Sequence, residues 1–262
     1  MDEVVSRPEK DYKDDLRQAM IVSKYEVMKF ISGKKIYIFA ILEALVLGLL
    51  AVVMFFFSNG EISTKGGLAT YISFISLLML VGATLFSSVT LVSEFEERTS
   101  FMLFTKPIRK SSIFIGKFLA AYVLNLLFVI AYYILSAILV AIKTGGSAIE
   151  LLPSLGYCAA YIFALTGIAI LFSALMKKSS SASILTFVFI LLVPSIVVSI
   201  VAIATGSMDV SSYWYILDVA ETAVTNSISD SVENGARDFF VMILWGLIPA
   251  IGAYILFKRR EV

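Results

Sequence analysis

Charged side chains that could form ion pairs and dock another molecule are concentrated between residues 93 and 117. This stretch carries five basic and three acidic side chains between two hydrophobic blocks. Because so many charges cannot lie in hydrocarbon, the stretch must lie outside a bilayer. Phe101, Phe104 and Ile108 recur within it at the i, i+3, i+7 spacing of a helix. The pattern predicts a short amphipathic helix that presents one apolar and one charged face to another surface.

The sequence lacks the commonest residue of catalytic and transition-metal sites. There is no His, the usual general base and metal ligand, and the single Cys158 lies inside a hydrophobic block. Gly33-Lys34-Lys35 and Gly116-Lys117-Phe118 lack the glycine spacing and the hydroxyl of a phosphate-binding loop. We therefore expect no catalytic residue, no metal site and no nucleotide site. Any energy source must be an ion gradient or another polypeptide.

Hydropathy places most of the chain in a membrane. Of its 262 residues 59% are hydrophobic, and the mean hydropathy is +0.92, far above that of a soluble domain. Six blocks are long enough to cross about 30 Å of hydrocarbon as helices, at 36–58, 69–92, 115–142, 153–176, 184–205 and 239–257. The third is overlong, and we assign its first turn to the preceding interfacial segment. The sequence predicts an all-α membrane protein with an N-terminal segment, residues 1–35, and a single six-helix transmembrane domain, residues 36–262.

The N-terminal segment ends in a pattern typical of a helix lying in the membrane interface. Residues 16–33 combine apolar side chains with charged ones such as Arg17, Lys24 and Lys29, which gives a basic amphipathic helix. Gly33 and the two lysines after it then turn the chain into the bilayer. The alternative is a soluble helix packed on a partner.

Basic residues predict the orientation of the six helices. Of the 21 Lys and Arg residues, all but Lys65, Lys143 and Arg237 lie in the N-terminal segment, the 93–117 stretch, the loop 177–183 or the C-terminal tail. These four regions alternate along the chain with the other three loops. Both termini and the 93–117 stretch are therefore predicted to face the cytoplasm.

The long outer segment, residues 206–238, has a pattern of its own. It contains six acidic residues and one basic residue. Residues 213–217, Tyr-Trp-Tyr-Ile-Leu, form an aromatic and apolar patch within it. Such a patch fits a short helix re-entering the outer interface, where Trp and Tyr are favoured. The alternative is a solvated loop with one anchor that touches the membrane.

Few polar residues lie inside the predicted membrane helices. Glu43 is the only acidic residue well inside a block, about 10 Å from its start at 1.5 Å per residue, and Asn125 lies in the third block. Both are candidates for hydrogen bonds between helices, and Glu43 is also a candidate for proton coupling or substrate contact. The hydroxyl-rich stretch 84–90 favours close packing against a neighbouring helix. The alternative is that its hydroxyl groups line a polar path through the membrane.

The charged stretch also carries three motifs in a fixed order. They are an acidic run ending in Thr, a Pro-x-Arg turn and a Gly-Lys pair, namely Glu94-x-Glu96-Glu97-x-Thr99, Pro107-Ile108-Arg109 and Gly116-Lys117-Phe118. This order resembles the cytoplasmic signature of type-2 ABC exporter permeases, the ABC-2 membrane family. Arg98 stands where that family usually has Gly, a departure that affects the geometry of the turn. The predicted interfacial helix, six spans and long last outer loop extend the resemblance over the whole chain.

The resemblance implies that residues 94–117 form the main coupling helix, docked in a groove of a separate ATP-binding-cassette ATPase subunit. The loop between the fourth and fifth blocks would be a second, smaller contact. Charged residues would lie at the rim, with Leu103 and its aromatic neighbours on the docking face. The residues assigned to coupling are Glu94, Glu96, Glu97, Arg98, Thr99, Phe101, Phe104, Pro107, Arg109, Lys117, Lys177 and Lys178.

The resemblance also implies an assembly in the plasma membrane. Two ATPase subunits would bind ATP and Mg, with no cofactor in this chain, and the permease would pair with a second copy or a sister permease. Lipid is the other expected partner, and no nucleic acid is expected. The sequence thus predicts the permease subunit of an ATP-driven exporter. Three alternatives stay open: a proton- or ion-coupled carrier that uses Glu43, a non-transporting membrane anchor for an ATPase, and a charged stretch that is a re-entrant loop and only caps the bundle.

Overall fold

The computed structural model describes residues 12–57, 63–96, 109–206, 213–229 and 231–259, and contains no strand within these ranges. The α-helices of the described residues, numbered in chain order, are α1 (Tyr12–Ile31), α2 (Lys34–Val52), α3 (Thr64–Ile72), α4 (Ile75–Gly82), α5 (Val92–Glu96), α6 (Lys110–Thr144), α7 (Leu151–Leu175), α8 (Ser179–Thr205), α9 (Leu217–Asn226) and α10 (Gly235–Arg259). Short π-helices extend α2 over Val53–Phe57 and α4 over Ala83–Ser87.

Six helical segments in the described part of the chain are long and apolar enough to cross a membrane. They are Lys34–Phe57, Thr64–Glu96, Lys110–Thr144, Leu151–Leu175, Ser179–Thr205 and Gly235–Arg259. The prediction of an all-α protein with six membrane helices is confirmed. Most segments begin a few residues before the hydrophobic block, because helical hydrogen bonding continues past the apolar residues into polar ones.

The second and fourth segments form the centre of the bundle. In the most apolar stretch of each, 78% and 72% of the residues are buried, against 28%, 11% and 22% in the first, fifth and sixth. The core around the two central segments includes Leu68, Tyr71, Ile162 and Leu165. The peripheral segments expose apolar side chains along their length, a surface that lipid or a further helix must cover.

The second segment is interrupted, both between α3 and α4 and after the π-helix, where a turn leads into α5. Ser173 of α7 stabilises this turn. Its Oγ accepts hydrogen bonds from the backbone N–H groups of Leu91 and Val92, both at 3.0 Å. The turn therefore sets the direction of α5, which ends at Glu96, the last described residue before position 109.

The hydroxyl groups of the second segment take part in helix packing. Ser88 Oγ lies 2.9 Å from Ser183 Oγ of α8. Asn125 Nδ2 of α6 donates a hydrogen bond to Ser87 Oγ at 3.1 Å. Both bonds are buried or partly buried, so they join the second segment to the third and fifth, as the packing interpretation predicts.

The third segment, α6, is one continuous helix of 35 residues, about 52 Å long at 1.5 Å per residue. It exceeds the roughly 30 Å of hydrocarbon, so it must extend beyond the hydrocarbon region. The sequence placed its start near residue 115 and gave the first turn to a separate segment. In the structure the helix begins at Lys110, and the N–H of Ile113 already donates to the Arg109 carbonyl at 3.2 Å.

The outer segment contains a short helix, α9, but the aromatic patch that was expected to be helical is a turn. The N–H of Ile216 donates to the Tyr213 carbonyl at 3.0 Å, and α9 begins only at Leu217. Tyr213 and Ile216 are buried, while Trp214 and its neighbour Tyr215 stay exposed. One face of α9 packs against α7 and α10. The patch therefore anchors α9 to the bundle instead of forming a helix of its own.

Candidate coupling site at the basic end of the bundle

One end of the bundle collects α1, α5, the beginning of α6, the α7–α8 connection and the end of α10. Phe257 of α10 contacts two of them: its ring centroid lies 6.2 Å from that of Phe95 in α5 and 6.1 Å from that of Phe114 in α6. We call this the basic end, because the regions that carry most of the Lys and Arg residues meet there. Every coupling residue that the structure describes lies at this end.

At the basic end α1 packs on α6 at a glycine. A Cβ on Gly116 would lie 2.6 Å from the Ala19 carbonyl oxygen and 2.8 Å from Val22 Cβ, so a larger residue would force the two helices apart. Asp15, near the start of α1, pairs with Arg109, which directly precedes α6. The buried positions of α1 recur at helical spacing, namely Ala19, Ser23, Glu26 and Phe30.

The opposite side of α1 is apolar and exposed. Leu16, Met20 and Tyr25 are 61%, 61% and 67% exposed, beside the exposed charge of Lys24. An exposed apolar face flanked by basic residues is typical of a helix at a membrane interface. The placement of α1 in the interface stays a prediction that this face supports.

Lys117 is the centre of a buried group of charges. Its side chain is 2% exposed, and Nζ lies 2.9 Å from Glu94 Oε1 of α5 and 3.0 Å from Glu26 Oε2 of α1. It also donates to the Thr90 carbonyl at 3.3 Å. At the outer edge, Lys29 Nζ lies 3.6 Å from Glu94 Oε1. We call Glu26, Lys29, Glu94 and Lys117 the ionic cluster.

The ionic cluster is a strong constraint because it is buried. Lys117 pairs with two carboxylates that belong to different helices, so its side chain holds α1 and α5 against α6. Removing one partner of a buried pair leaves a charge without compensation and costs about 3–5 kcal/mol. The exposed contact of Lys29 is worth much less, about 1 kcal/mol at most.

Glu96 links α5 to α8. Its Oε2 accepts a hydrogen bond from the backbone N–H of Ser179 at 2.8 Å and another from the Ser179 hydroxyl. Ser179 is the first residue of α8, where helix N–H groups have no partner within the helix. The exposed Lys177 and Lys178 directly precede it. The structure thus brings together the two stretches that the sequence assigned to ATPase docking.

The described coupling residues divide into two groups. Glu94 and Lys117 point into the ionic cluster and Arg109 pairs with Asp15, so these side chains hold the chain's own helices together, whereas the sequence placed them on a docking surface. Glu96 also makes an internal contact, and the two lysines of the α7–α8 connection face outward. The coupling residues that lie outside the described residues are Glu97, Arg98, Thr99, Phe101, Phe104 and Pro107.

Sequence reasoning missed Asp15, Glu26 and Ser173. Glu26 was interpreted only as one of the charges of the helix predicted over 16–33, and Asp15 lies just before that predicted helix. Their spacing with Ala19 and Ser23 marks the buried face, a stripe of small and acidic residues at helical intervals. That stripe is the signal that could have identified a helix packed on the chain itself. Ser173 gave no signal, because its contact depends on the turn before α5.

Glu43 and Asn125 line the same small cavity between membrane helices. Its volume is about 10 Å³, enough for one water molecule. Glu43 is 6% exposed, and its Oε1 has no hydrogen-bond partner among the described residues. The neighbouring Tyr132 hydroxyl donates instead to the Tyr71 carbonyl at 2.7 Å. The cavity is therefore large enough for a water molecule but not for a substrate. Its described lining contains no basic residue that could pair with Glu43.

The sequence was compared with known protein families and with curated proteins. A family profile described as "ABC-2 family transporter protein" matches residues 14–262. The chain belongs to this ABC-2 transporter family. The comparison with curated proteins gave no match.

Membership of the ABC-2 family confirms the resemblance that the motifs of the 93–117 stretch indicated. Together with its six apolar helices, it makes the chain a multi-pass membrane protein and an ABC transporter permease. ABC-2 membrane proteins are transport components, not themselves catalytic, and generally work with an ATPase partner. The basic end of this ABC-2 protein is therefore the region to examine for the contact with such a partner.

Proposed function

We propose that this ABC-2 permease belongs to an exporter and is driven by a separate ATP-binding-cassette ATPase subunit that docks on residues 94–117. The bond between Glu96 and Ser179 carries the proposal. It holds the beginning of the main docking stretch beside the exposed Lys177 and Lys178. One partner can therefore contact two patches at once, the 94–117 stretch and the lysine pair. Two adjacent contacts fix the orientation of the partner better than one.

In this proposal the basic end faces the cytoplasm and the protein lies in the plasma membrane. The distribution of Lys and Arg residues supports the orientation, since only Lys65, Lys143 and Arg237 lie toward the opposite end. Both termini are then cytoplasmic. Both docking stretches then lie in the cytoplasm, the compartment that supplies ATP.

ATP and Mg bind to the partner, of which two copies serve two paired permeases. The chain has no glycine-rich phosphate loop of its own. The exposed apolar faces of α2, α8 and α10 support pairing with a second copy or a sister permease, because they offer continuous surface that a neighbouring helix could cover. The transport path then lies between the two permeases.

The test is co-purification of an ATPase from the native membrane in mild detergent. We expect ATP hydrolysis in the eluate of the wild type. It should be lost in the variant Phe101→Asp/Phe104→Asp, which places charge on the predicted docking face, and reduced in Lys177→Glu/Lys178→Glu. The matched control is Lys258→Glu/Arg259→Glu, which makes the same charge change at exposed positions of the same end.

The outcomes separate the proposal from its alternatives. Loss of ATPase in the first two variants, with the control unchanged, supports docking at the two patches. Hydrolysis that stays at the wild-type level in Phe101→Asp/Phe104→Asp contradicts docking on the 94–117 stretch. If ATPase binds but its turnover responds to no compound that cells export, the membrane-anchor alternative is favoured. The carrier alternative depends on Glu43, which is buried beside a cavity, and predicts transport without ATP.

A further inference from the structure

We propose that Lys117 of α6 is a positioning residue that makes α1, α5 and the beginning of α8 move as one unit at the basic end when the ATPase partner acts. The inference rests on the proposed function and adds the parts that the docking stretch must move. It starts from α5, a helix of only five residues that leads directly into that stretch.

α5 is held on two sides by two of its own side chains. Glu94 reaches Lys117, and through it Glu26 of α1, at 2.9 and 3.0 Å. Glu96, two residues later, accepts from the N–H of Ser179 at the start of α8. Because α5 is only five residues long and is held at both Glu94 and Glu96, it moves as a rigid piece. A force applied to the stretch after α5 therefore reaches α1 and α8 together.

The geometry around Lys117 leaves its ammonium group little freedom. It contacts two carboxylates and the Thr90 carbonyl at the last turn before α5, which uses the three N–H donors of a Lys side chain. The neighbouring Gly116 lets α1 approach α6 closely enough for Glu26 to reach it. Glycine and lysine at these two positions therefore act together: the first permits the approach, and the second holds it.

The alternative role of Lys117 is stability alone, and a neutral cluster distinguishes the two roles. In Glu26→Met/Glu94→Met/Lys117→Met all three charges of the buried core disappear together. Replacing a complete buried ion group by well-packed apolar side chains of similar volume is often harmless to stability. This triple variant is therefore expected to fold but to lack the ionic link between α1 and α5.

The experiment measures the distance between spin labels on α1 and α8. Lys24→Cys and Ser181→Cys place labels at exposed positions of the basic end, whereas the native Cys158 is fully buried. In the wild-type background we expect one narrow distance that stays unchanged when the co-purified ATPase binds ATP. In the triple variant the distribution should broaden about twofold, or split into two when ATP binds.

Two further measurements make the result decisive. The melting temperature of the triple variant must equal that of the wild type, so that a change in distance reports positioning and not unfolding. Lys29→Gln is the control that removes an exposed charge of the same cluster, and it should leave the distance narrow. A triple variant with the wild-type distance, with and without ATP, overturns the inference.

Failure of the proposed function has a different signature. If no ATPase co-purifies with the wild type, docking is wrong. The nucleotide-free distances of the chain alone still test whether the ionic cluster fixes α1 relative to α8: a narrow wild-type distance that broadens in the triple variant supports the link, and identical distributions refute it.

Discussion

The backbone of Gly167 in α7 lies directly against the backbone of Gly246 in α10. A Cβ on Gly167 would lie 2.2 Å from the Gly246 carbonyl oxygen and 2.8 Å from its Cα. No side chain of the usual residues fits this space, so both helices depend on glycine for their contact. Small residues that permit close backbone approach are the common way in which membrane helices associate. This crossing joins the sixth segment to the centre of the bundle.

Gly167→Ala is therefore expected to destabilise the protein. The added methyl group meets backbone atoms, which cannot rotate away, so α7 and α10 must separate. Overpacking of this kind costs about 1–3 kcal/mol, and the melting temperature in detergent should fall. Gly156→Ala is the matched control, because it changes the same residue type in the same helix at a position with nothing within 4 Å of the added Cβ. Equal melting temperatures for both variants would contradict a glycine-dependent crossing.

Gly116→Val should release α1 from α6. The new side chain would overlap the Ala19 carbonyl and Val22, and separation of the helices also draws Glu26 away from Lys117. A cost of about 1–3 kcal/mol corresponds to hydrogen exchange of the α1 amides that is roughly tenfold faster or more. Exchange in α7 should not change. The control is Gly48→Val, where the added Cβ has open space; unchanged exchange in α1 of Gly116→Val would show that α1 is held by other contacts.

The membrane helices could be predicted from the sequence because each one is a long apolar run, and length and hydropathy are local properties. The break in the second segment could not. It depends on Ser173, which lies 82 residues from Leu91 in sequence and accepts its N–H only in the folded bundle. No local pattern distinguishes a helix that turns there from one that continues.

The candidate site was predicted in part for a related reason. Residue types and motif order identified Glu94 and Lys117, but not that they bind each other. Glu26 was interpreted as an interfacial charge, since an amphipathic pattern shows which faces a helix has without showing what each face contacts. Only the packing of α1 on α6 makes the ionic cluster an internal link.

Glu221 is expected to make stability depend on pH. Burial raises the pKa of this α9 carboxyl, with Asp218 adding to the effect, against the hydrogen bonds from Ser76 and Tyr161 that lower it. The folded state then binds the proton more tightly than the unfolded state. Stability is therefore full below the ordinary Glu pKa, and falls as pH rises from there through the raised value.

The variant Glu221→Gln should remove this part of the pH dependence. Its melting temperature should equal that of the wild type in acid and exceed it at higher pH, where the wild type carries a partly buried charge. Glu233→Gln changes an exposed carboxyl of the same outer segment and should leave the pH profile of the melting temperature as it is. Parallel profiles for wild type and Glu221→Gln would show that this carboxyl is solvated in the folded protein.

Glu43→Gln is expected to leave the fold intact and ATP-driven transport largely unchanged. The carboxyl is 6% exposed and its Oε1 has no partner among the described residues, so the fold gains little from a negative charge there. An ionised carboxylate at this depth is costly, whereas Gln has the same shape without the charge. Glu43→Ala is the comparison, since it enlarges the cavity beside Asn125 and should cost about 1–3 kcal/mol, measured as a lower melting temperature.

Transport then separates the two mechanisms, because a carrier driven by protons needs a group that can bind and release one. The assay loads vesicles with candidate substrates and compares wild type with Glu43→Gln, each with the ATPase partner and ATP or with an imposed proton gradient alone. An exporter requires ATP and tolerates the amide. The opposite result is uptake or efflux that follows the proton gradient and disappears in Glu43→Gln at an unchanged melting temperature. That result would show that the gradient drives transport through this carboxyl, and not the ATPase partner at the basic end.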